Sequence, residues 1–183
     1  VLTGKGYSYG GSQIRPEATG YGVLYFVEQM LKTRQMSVEG QRVAVSGSGN
    51  VAQYAMAKAM ELGAKVVTVS DSGGTVHCPG GFTETHWLSL MQLKNERRGR
   101  IAELAQEFDL EYLAGENPWS VPCEIALPCA TQNELHEADA LTLLKNGCLC
   151  VAEGANMPTT HDAVEVFQAA RILYGPGKAS NAG

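Results

Sequence analysis

The sequence has no long hydrophobic run and no excess of basic residues over its 183 residues. Spanning a bilayer takes roughly 18 to 20 consecutive apolar residues, and no stretch approaches that length. The formal net charge is -5, whereas a general nucleic-acid binder needs a basic surface to neutralise phosphates. We therefore expect a soluble globular protein with neither a membrane nor a nucleic-acid partner.

Cysteine and histidine also lack the spacing of a known site. The 5 cysteines contain no C-x-x-C pair, and the 4 histidines are scattered without ligand spacing, so we predict no metal site. Free thiols are typical of a reducing compartment, which favours the cytoplasm and leaves a mitochondrial location open. Cys148 and Cys150 alternate in "GCLCVAEG", so both are expected to point to one face of a strand.

The two ends of the sequence suggest a piece of a longer protein. It starts without Met in "VLTGKGYSYGGS" and stops in the glycine-rich, loop-like "GPGKASNAG". We expect residues 1–183 to form one domain, with further segments of a longer protein absent on both sides. A domain of this size buries about 70% of its unfolded surface, which is enough for one core.

Apolar periodicity predicts strands that alternate with helices along the chain. A turn-rich stretch is expected at 72–82. This alternation predicts an α/β fold, a doubly wound parallel sheet of the Rossmann-like, dinucleotide-binding type. The predicted helices are 15–35, 50–62, 83–98, 100–108, 134–146 and 160–170, and the predicted strands are 41–47, 65–71, 111–113, 123–130, 148–156 and 171–177.

A glycine motif lies between the second predicted helix and the strand before it. Gly47, Gly49 and Ala52 form G-x-G-x-x-A, and Asp71 ends the following strand. The first glycine permits a tight turn, the second permits close approach of a pyrophosphate, and the small third residue lets helix and strand pack closely. The motif therefore predicts dinucleotide binding at the helix N-terminus.

The residues around Asp71 leave the choice of dinucleotide open. Asp71 suits the ribose 2′-hydroxyl of NAD and repels the 2′-phosphate of NADP. Ser72 and the glycines after it suit a phosphate, and Lys94, Arg97 and Arg98 lie downstream. Polar, weakly charged loops at 128–134, 153–158 and 175–183 follow later strands, as expected for groups that orient a neutral nicotinamide.

Five segments together resemble one family. They are "GKGYSYGGSQIRPEATGYG", "GSGNVAQYA", "LPCATQNEL", "AEGANMPTT" and "PGKASNAG". They resemble the nucleotide-binding domain of hexameric glutamate dehydrogenases of the NADP-preferring kind, within the glutamate, leucine, phenylalanine and valine dehydrogenase family. The resemblance implies reversible oxidative deamination of L-glutamate to 2-oxoglutarate and ammonium, by a homo-hexamer when the protein is full length.

The resemblance also implies roles for residues of this chain. Arg15 and Thr19 would face the nicotinamide end, and Asn181 would approach the nicotinamide or the substrate. Ser72 and Lys94 would meet the 2′-phosphate, which favours NADP over NAD and requires Asp71 to turn away, gain a proton or be offset by its cationic neighbour. The pyrophosphate would be held by Gly47, Gly49, Asn50 and Val51, and the riboses would be lined by Ala130, Thr131, Gln132, Gly154, Ala155 and Asn156.

No residue of the chain is a credible general base for deaminating glutamate. The resemblance places the catalytic lysines and the proton-relaying aspartate in the absent N-terminal domain, so we expect no catalytic residue here. Two alternatives remain. The first is an NAD-dependent glutamate dehydrogenase, or a branched-chain or aromatic amino-acid dehydrogenase. The second is an isolated nucleotide-binding module without chemistry.

Overall fold

Two parallel strands and the helix between them form the centre of the fold. The computed structural model describes residues 2–3, 11–12 and 16–182, so Arg15 lies outside the described residues. The central unit comprises strand β3 (Arg42–Val45), helix α2 (Asn50–Glu61) and strand β4 (Lys65–Asp71), with α1 (Ala18–Lys32) packed beside α2. A separate pair of two-residue strands, β1 (Leu2–Thr3) and β2 (Gly11–Ser12), is parallel.

The remaining elements extend this unit in both directions. They include a π-helical turn over Gln92–Glu96 and a 3₁₀ turn over Pro118–Ser120. The other strands are β5 (Gly74–His77), β6 (Glu111–Ala114), β7 (Ile125–Leu127), β8 (Cys150–Ala152) and β9 (Leu173–Gly175). The other helices are α3 (Glu84–Met91), α4 (Ile101–Phe108), α5 (Glu137–Lys145), α6 (His161–Ala169) and α7 (Gly177–Ser180).

The 7-stranded sheet has the order β6-β5-β4-β3-β7-β8-β9. Helices α1, α2, α3 and α4 contribute buried side chains to the core on one face, and α5 and α6 contribute to the core on the other. The sheet is therefore doubly wound, which confirms the predicted α/β class. Strand order reverses beside β3, and in open α/β sheets ligands bind at that point, beyond the carboxyl ends of the strands.

The edge that β5 and β6 form differs from the prediction. Strand β5 lies within the stretch expected to be only turns, and it pairs antiparallel with β4 and with β6, so the sheet is mixed rather than wholly parallel. Its four residues follow a tight turn at Ser72 and Gly73, and the partner strands supply the hydrogen bonds that define it. The strand predicted at 111–113 is confirmed as β6.

Three further predictions need correction. The helix expected over 83–98 ends at Met91 and continues as the π-helical turn. The loop-like 175–183 stretch contains the short helix α7. Cys148 and Cys150 do not share a face: Cys148 packs in the α5 and α6 core and Cys150 in the opposite core, because β8 begins only at Cys150.

The free thiols expected from the sequence are confirmed, and all five cysteines are buried. Among the described residues, no helix is both long enough and apolar enough to cross a bilayer.

The contact between α1 and α2 depends on a helical glycine. A Cβ atom at Gly20 would lie 2.6 Å from the backbone N of Ala55 and 2.8 Å from the Cβ of Tyr54. We expect Gly20→Val to lower the free energy of unfolding by about 1–3 kcal/mol, because the helices must separate. Urea unfolding followed by circular dichroism measures it. Gly80→Val is the matched control, since a Cβ there meets nothing within 4 Å, and equal losses in both variants would contradict the assignment.

Candidate cofactor site

The glycine turn after β3 is fixed to both neighbouring strands. Gly47 has a φ of 80°, and a Cβ there would lie 3.0 Å from the carbonyl O of Cys129, so only glycine fits. Its N–H donates to the Ser70 hydroxyl at 2.8 Å, and its carbonyl accepts from the Ser70 N–H at 3.1 Å. On the other side, Ser46 Oγ accepts from the Cys129 N–H at 2.8 Å. These hydrogen bonds therefore fix the turn relative to the sheet.

The N-terminus of α2 opens into free space beside this turn. Gly49 is the N-cap residue and supplies no side-chain cap, so the amides of the first turn remain available. A Cβ at Gly49 would meet nothing within 4 Å. Amides at a helix N-terminus that point into open space suit an anion such as a diphosphate. Asn50 would contribute through its backbone, because its side-chain Nδ2 donates to the Pro16 carbonyl at 2.7 Å.

Two clefts meet at this helix N-terminus. The first has a volume of about 460 Å³ and the second about 480 Å³. They share the wall formed by Cys129, Ala130 and Thr131, which follows β7. Two adjoining clefts of this size, on either side of an anion site, fit the two halves of a dinucleotide.

The predicted residues divide between the clefts. Asn50 and Lys94 line neither cleft, and Ala130 and Thr131 line both. The first cleft includes Gly47, Gly49, Asp71 and Ser72. The second includes Thr19, Val51, Gln132, Gly154, Ala155, Asn156 and Asn181.

Asp71 has its carboxylate engaged by the protein itself. Oδ1 accepts from the Gly73 N–H at 2.8 Å, and Oδ2 accepts from the Ile101 N–H at 3.1 Å, at the first turn of α4. The side chain is only 8% exposed, and Lys94 Nζ lies 3.9 Å from Oδ2. The carboxylate is thus turned toward the α4 N-terminus, where the helix dipole and Lys94 offset its charge.

A cation that sequence analysis missed lies at the predicted phosphate position. Arg100 Nη1 donates to the Ser72 hydroxyl at 2.6 Å, while Lys94 Nζ donates to the Gly99 carbonyl at 3.0 Å. Arg100 belongs to the basic run of 94–100, but its position depends on α4 beginning next to the end of β4. Arg100 contacts Ser72, and Lys94 lies beside Asp71, the residue before Ser72, so a hydroxyl and two cations lie near the end of β4. That combination suits a phosphate.

Glu134 is a second residue missed from the sequence, and it holds the wall between the clefts. Its Oε1 accepts from the Ala130 N–H at 3.0 Å. Burial raises the pKa of the Glu134 carboxyl, and hydrogen bonds from Ser46 and the backbone of Ala130 and Thr131 oppose that rise. The carboxyl group therefore ties the loop after β7 to the end of β3.

Glu153 plays a similar part at the far end of the second cleft. Its buried carboxylate accepts from the Tyr174 hydroxyl at 2.6 Å and from the Gly177 N–H at 2.7 Å. These bonds fix α7 against β8, and Asn181 directly after α7 donates to the Ala155 carbonyl at 3.2 Å and to Asn156 Oδ1 at 3.0 Å. Burial, together with Glu153, raises the pKa of Tyr174 well above its usual range.

The described lining of the second cleft offers amides and hydroxyls. Cys129 is the one titratable side chain among the lining residues that the structure describes, and burial raises its pKa far above the usual range, so it stays a thiol. In the described part of the chain, no group of three or more His, Cys, Asp or Glu is placed to hold a metal ion. The described residues of the cleft can bind and orient a neutral ring, and none of them is a general base.

Comparison with known proteins places these features in one family. Residues 10–183 match the family described as Glutamate/Leucine/Phenylalanine/Valine dehydrogenase. The "NADP-specific glutamate dehydrogenase" of Escherichia coli (strain K12) is 61% identical over 183 residues, which is 100% of this chain and 41% of that protein. The chain thus spans about two fifths of the length of the curated relatives it matches.

Solved structures give the same result. A crystal structure of Plasmodium falciparum glutamate dehydrogenase superimposes with a TM-score of 0.92 at 50% identity, covering 99% of this chain and 39% of that one. The hetero-hexameric glutamate dehydrogenase of Thermus thermophilus superimposes with a TM-score of 0.79 at 27% identity, covering 99% and 40%.

The open space at Gly49 gives a direct test of the anion site. Gly49→Val would put a branched side chain at the predicted diphosphate position, where its Cβ meets no protein atom within 4 Å, so we expect the fold to persist while NADPH and NADH affinities fall together. We expect a loss of at least about tenfold for both, since each tenfold step corresponds to about 1.4 kcal/mol. Calorimetry with each dinucleotide measures it. Gly80→Val should bind like the unmodified protein, and unchanged binding in a folded Gly49→Val would contradict the site.

Proposed function

Because the chain belongs to the Glutamate/Leucine/Phenylalanine/Valine dehydrogenase family, we propose that it is the cofactor-binding part of an NADP-dependent glutamate dehydrogenase. The proposed reaction is the reversible oxidative deamination of L-glutamate to 2-oxoglutarate and ammonium. Relatives named for that activity extend well beyond this chain, so substrate binding and proton transfer are assigned to the rest of the protein.

The observation that supports NADP is the arrangement around Ser72. In an NAD enzyme the acid at the end of the second strand hydrogen-bonds the ribose 2′-hydroxyl. Here Asp71 instead accepts from the Gly73 and Ile101 amides. The Ser72 hydroxyl lines the first cleft, Arg100 contacts that hydroxyl, and Lys94 lies beside Asp71. A 2′-phosphate at Ser72 would meet charge-assisted donors from Lys94 and Arg100.

The chain's residues bind and orient the cofactor. When bound, NADP exchanges a hydride between its nicotinamide C4 and the substrate Cα. The amides of Gly49, Asn50 and Val51 hold the diphosphate, and the 130–132 and 154–156 loops contact the riboses. Arg15, Thr19 and Asn181 are assigned to the nicotinamide end, where Thr19 and Asn181 line the second cleft.

Acid and base catalysis is proposed to come from outside this chain. Among the residues that the structure describes, the second cleft carries no ionisable side chain except the buried Cys129 thiol. A lysine that binds the γ-carboxylate of glutamate and the proton-transfer residues are expected in an N-terminal domain of the full protein. We further propose a homo-hexamer in the cytoplasm; the five reduced thiols favour a reducing compartment.

The isolated chain should bind cofactor without turning over substrate. The two clefts are the proposed dinucleotide site, and their described lining carries no side chain suited to acid–base catalysis of glutamate deamination. We expect weak NADPH binding by calorimetry and no NADPH oxidation with 2-oxoglutarate and ammonium. Turnover by the pure 183-residue chain would contradict the proposed division of labour.

The proposed phosphate site predicts a selective loss in one variant. Lys94→Ala removes a charge-assisted contact of about 1.5–3 kcal/mol that only NADPH can make. We expect the dissociation constant for NADPH to rise roughly 10- to 100-fold and that for NADH to stay within about twofold. Calorimetry with both dinucleotides on the same protein preparation measures it.

Lys145→Ala serves as the matched control, because it removes the same charge from an exposed position at the end of α5. That variant should leave both constants unchanged. Equal losses for NADPH and NADH in Lys94→Ala would contradict the 2′-phosphate assignment. Unchanged binding of both would favour the alternative, in which Lys94 is a solvated cation and the protein uses NAD.

A further inference from the structure

The segment that carries Lys94 has an unusual backbone. Helix α3 ends at Met91, and the next five residues form a π-helical turn in which the Arg97 N–H donates to the Gln92 carbonyl at 3.1 Å. A π-helical turn contains one residue more than an α-helical turn needs, and such turns occur frequently at functional sites. Lys94 lies inside this turn, between Leu93, which is buried in the core, and Asn95.

Asn95 joins this turn to α2 through a pair of amide hydrogen bonds. Gln53 Nε2 donates to Asn95 Oδ1 at 3.2 Å, and Asn95 Nδ2 donates back to Gln53 Oε1 at 3.2 Å. Gln53 is only 1% exposed, so its amide must find partners within the protein. We call this pair the Gln53–Asn95 clasp.

The clasp also reaches the glycine turn. Gln53 Nε2 donates to the Ser48 carbonyl at 2.8 Å, and Ser48 lies between the two glycines of the motif. The Gln53 backbone carbonyl accepts from Trp87 Nε1 at 2.7 Å, which ties α3 to the same residue. One side chain of α2 therefore connects the diphosphate turn with the turn that carries Lys94.

Lys94 projects from the same turn toward the end of β4. Its Nζ donates to the Gly99 carbonyl at 3.0 Å and lies 3.9 Å from Asp71 Oδ2. A lysine side chain loses rotamer entropy when it is held in one place. If the backbone of Lys94 is already fixed, binding a phosphate costs less conformational entropy.

We propose that Asn95 is a positioning residue for cofactor selectivity. The Gln53–Asn95 clasp sets the distance between the diphosphate turn and Lys94, so that the turn can bind the diphosphate while Lys94 binds the 2′-phosphate of the same cofactor. The proposal rests on the proposed function, since it assigns the 2′-phosphate to Lys94. Asn95 acts through Lys94 and touches no cofactor atom. Truncating Asn95 should therefore weaken the binding of NADPH and leave the binding of NADH nearly unchanged.

A double-mutant cycle tests this coupling. We expect Asn95→Ala to raise the dissociation constant for NADPH roughly 3- to 10-fold and that for NADH by less than about twofold. In the Lys94→Ala background, Asn95→Ala should change the NADPH constant by less than about twofold, because the group it positions is gone. Calorimetry with NADPH and NADH on all four proteins supplies the values, with thermal unfolding run alongside.

Two further variants separate positioning from packing. Gln53→Leu removes the clasp from the α2 side with an apolar side chain of similar size, and it should shift the NADPH to NADH ratio in the same direction as Asn95→Ala. Gln92→Ala truncates an exposed residue of the same π-helical turn and should leave the ratio unchanged.

Each result decides between the two proposals. The first case is that Lys94→Ala weakens NADPH binding, but Asn95→Ala weakens the binding of both dinucleotides equally or has its full effect in the Lys94→Ala background as well. This result would contradict the positioning role of Asn95 and leave the phosphate site intact. If Lys94→Ala itself leaves NADPH binding unchanged, the phosphate assignment is wrong and the positioning role falls with it.

Discussion

Gly47 takes a φ of 80° at the point where its backbone approaches the Cys129 carbonyl, and no side chain fits between them. The close approach brings the end of β3 against the loop after β7, so the wall of both clefts and the N-terminus of α2 meet at one place. Ser46 and Ser70 hold the turn from opposite sides through hydroxyl groups. The anion site, the shared wall and the entry to both clefts all follow from that single chain reversal.

The carboxylate of an aspartate at the end of β4 can either contact a cofactor or stabilise the protein around it, and Asp71 does the second. Left free, it would accept from a ribose hydroxyl and repel a phosphate. Held by the amides of Gly73 and Ile101, it instead fixes the start of α4 and with it the position of Arg100. Two backbone hydrogen bonds therefore convert an acid at the end of β4 from a ligand of the cofactor into a support for the cations around it.

Local patterns were sufficient for the central unit and insufficient for the edge beside it. Strand β3, the glycine turn, α2 and β4 were predicted because apolar runs and glycines mark them within a few residues. Strand β5 is short and lies between turns, so its antiparallel partners define it. The π-helical turn continues an ordinary helical pattern in the sequence, and its hydrogen bond from the Arg97 N–H to the Gln92 carbonyl distinguishes it.

The candidate site divides in the same way. Gly49 was predicted from the glycine motif, and the loops that carry Thr131 and Ala155 were predicted because they follow strands, whose carboxyl ends share one edge of a parallel sheet. The roles of Thr131 and Ala155 came from the family resemblance. Arg100, Glu134 and Glu153 were missed, because each contacts a residue far from it in sequence: Arg100 contacts Ser72, Glu134 contacts Ser46, and Glu153 contacts Gly177. Their roles depend on tertiary distance, which no spacing along the chain encodes.

The five cysteines have a practical chemical consequence. Thiol reagents attack the thiolate, and burial raises the pKa of Cys78, Cys129 and Cys150 while leaving none of the five exposed. The native cysteines are therefore expected to react slowly with alkylating labels while the protein is folded. A single cysteine placed on the rim of either cleft would carry a fluorophore or a spin label without first replacing a native residue.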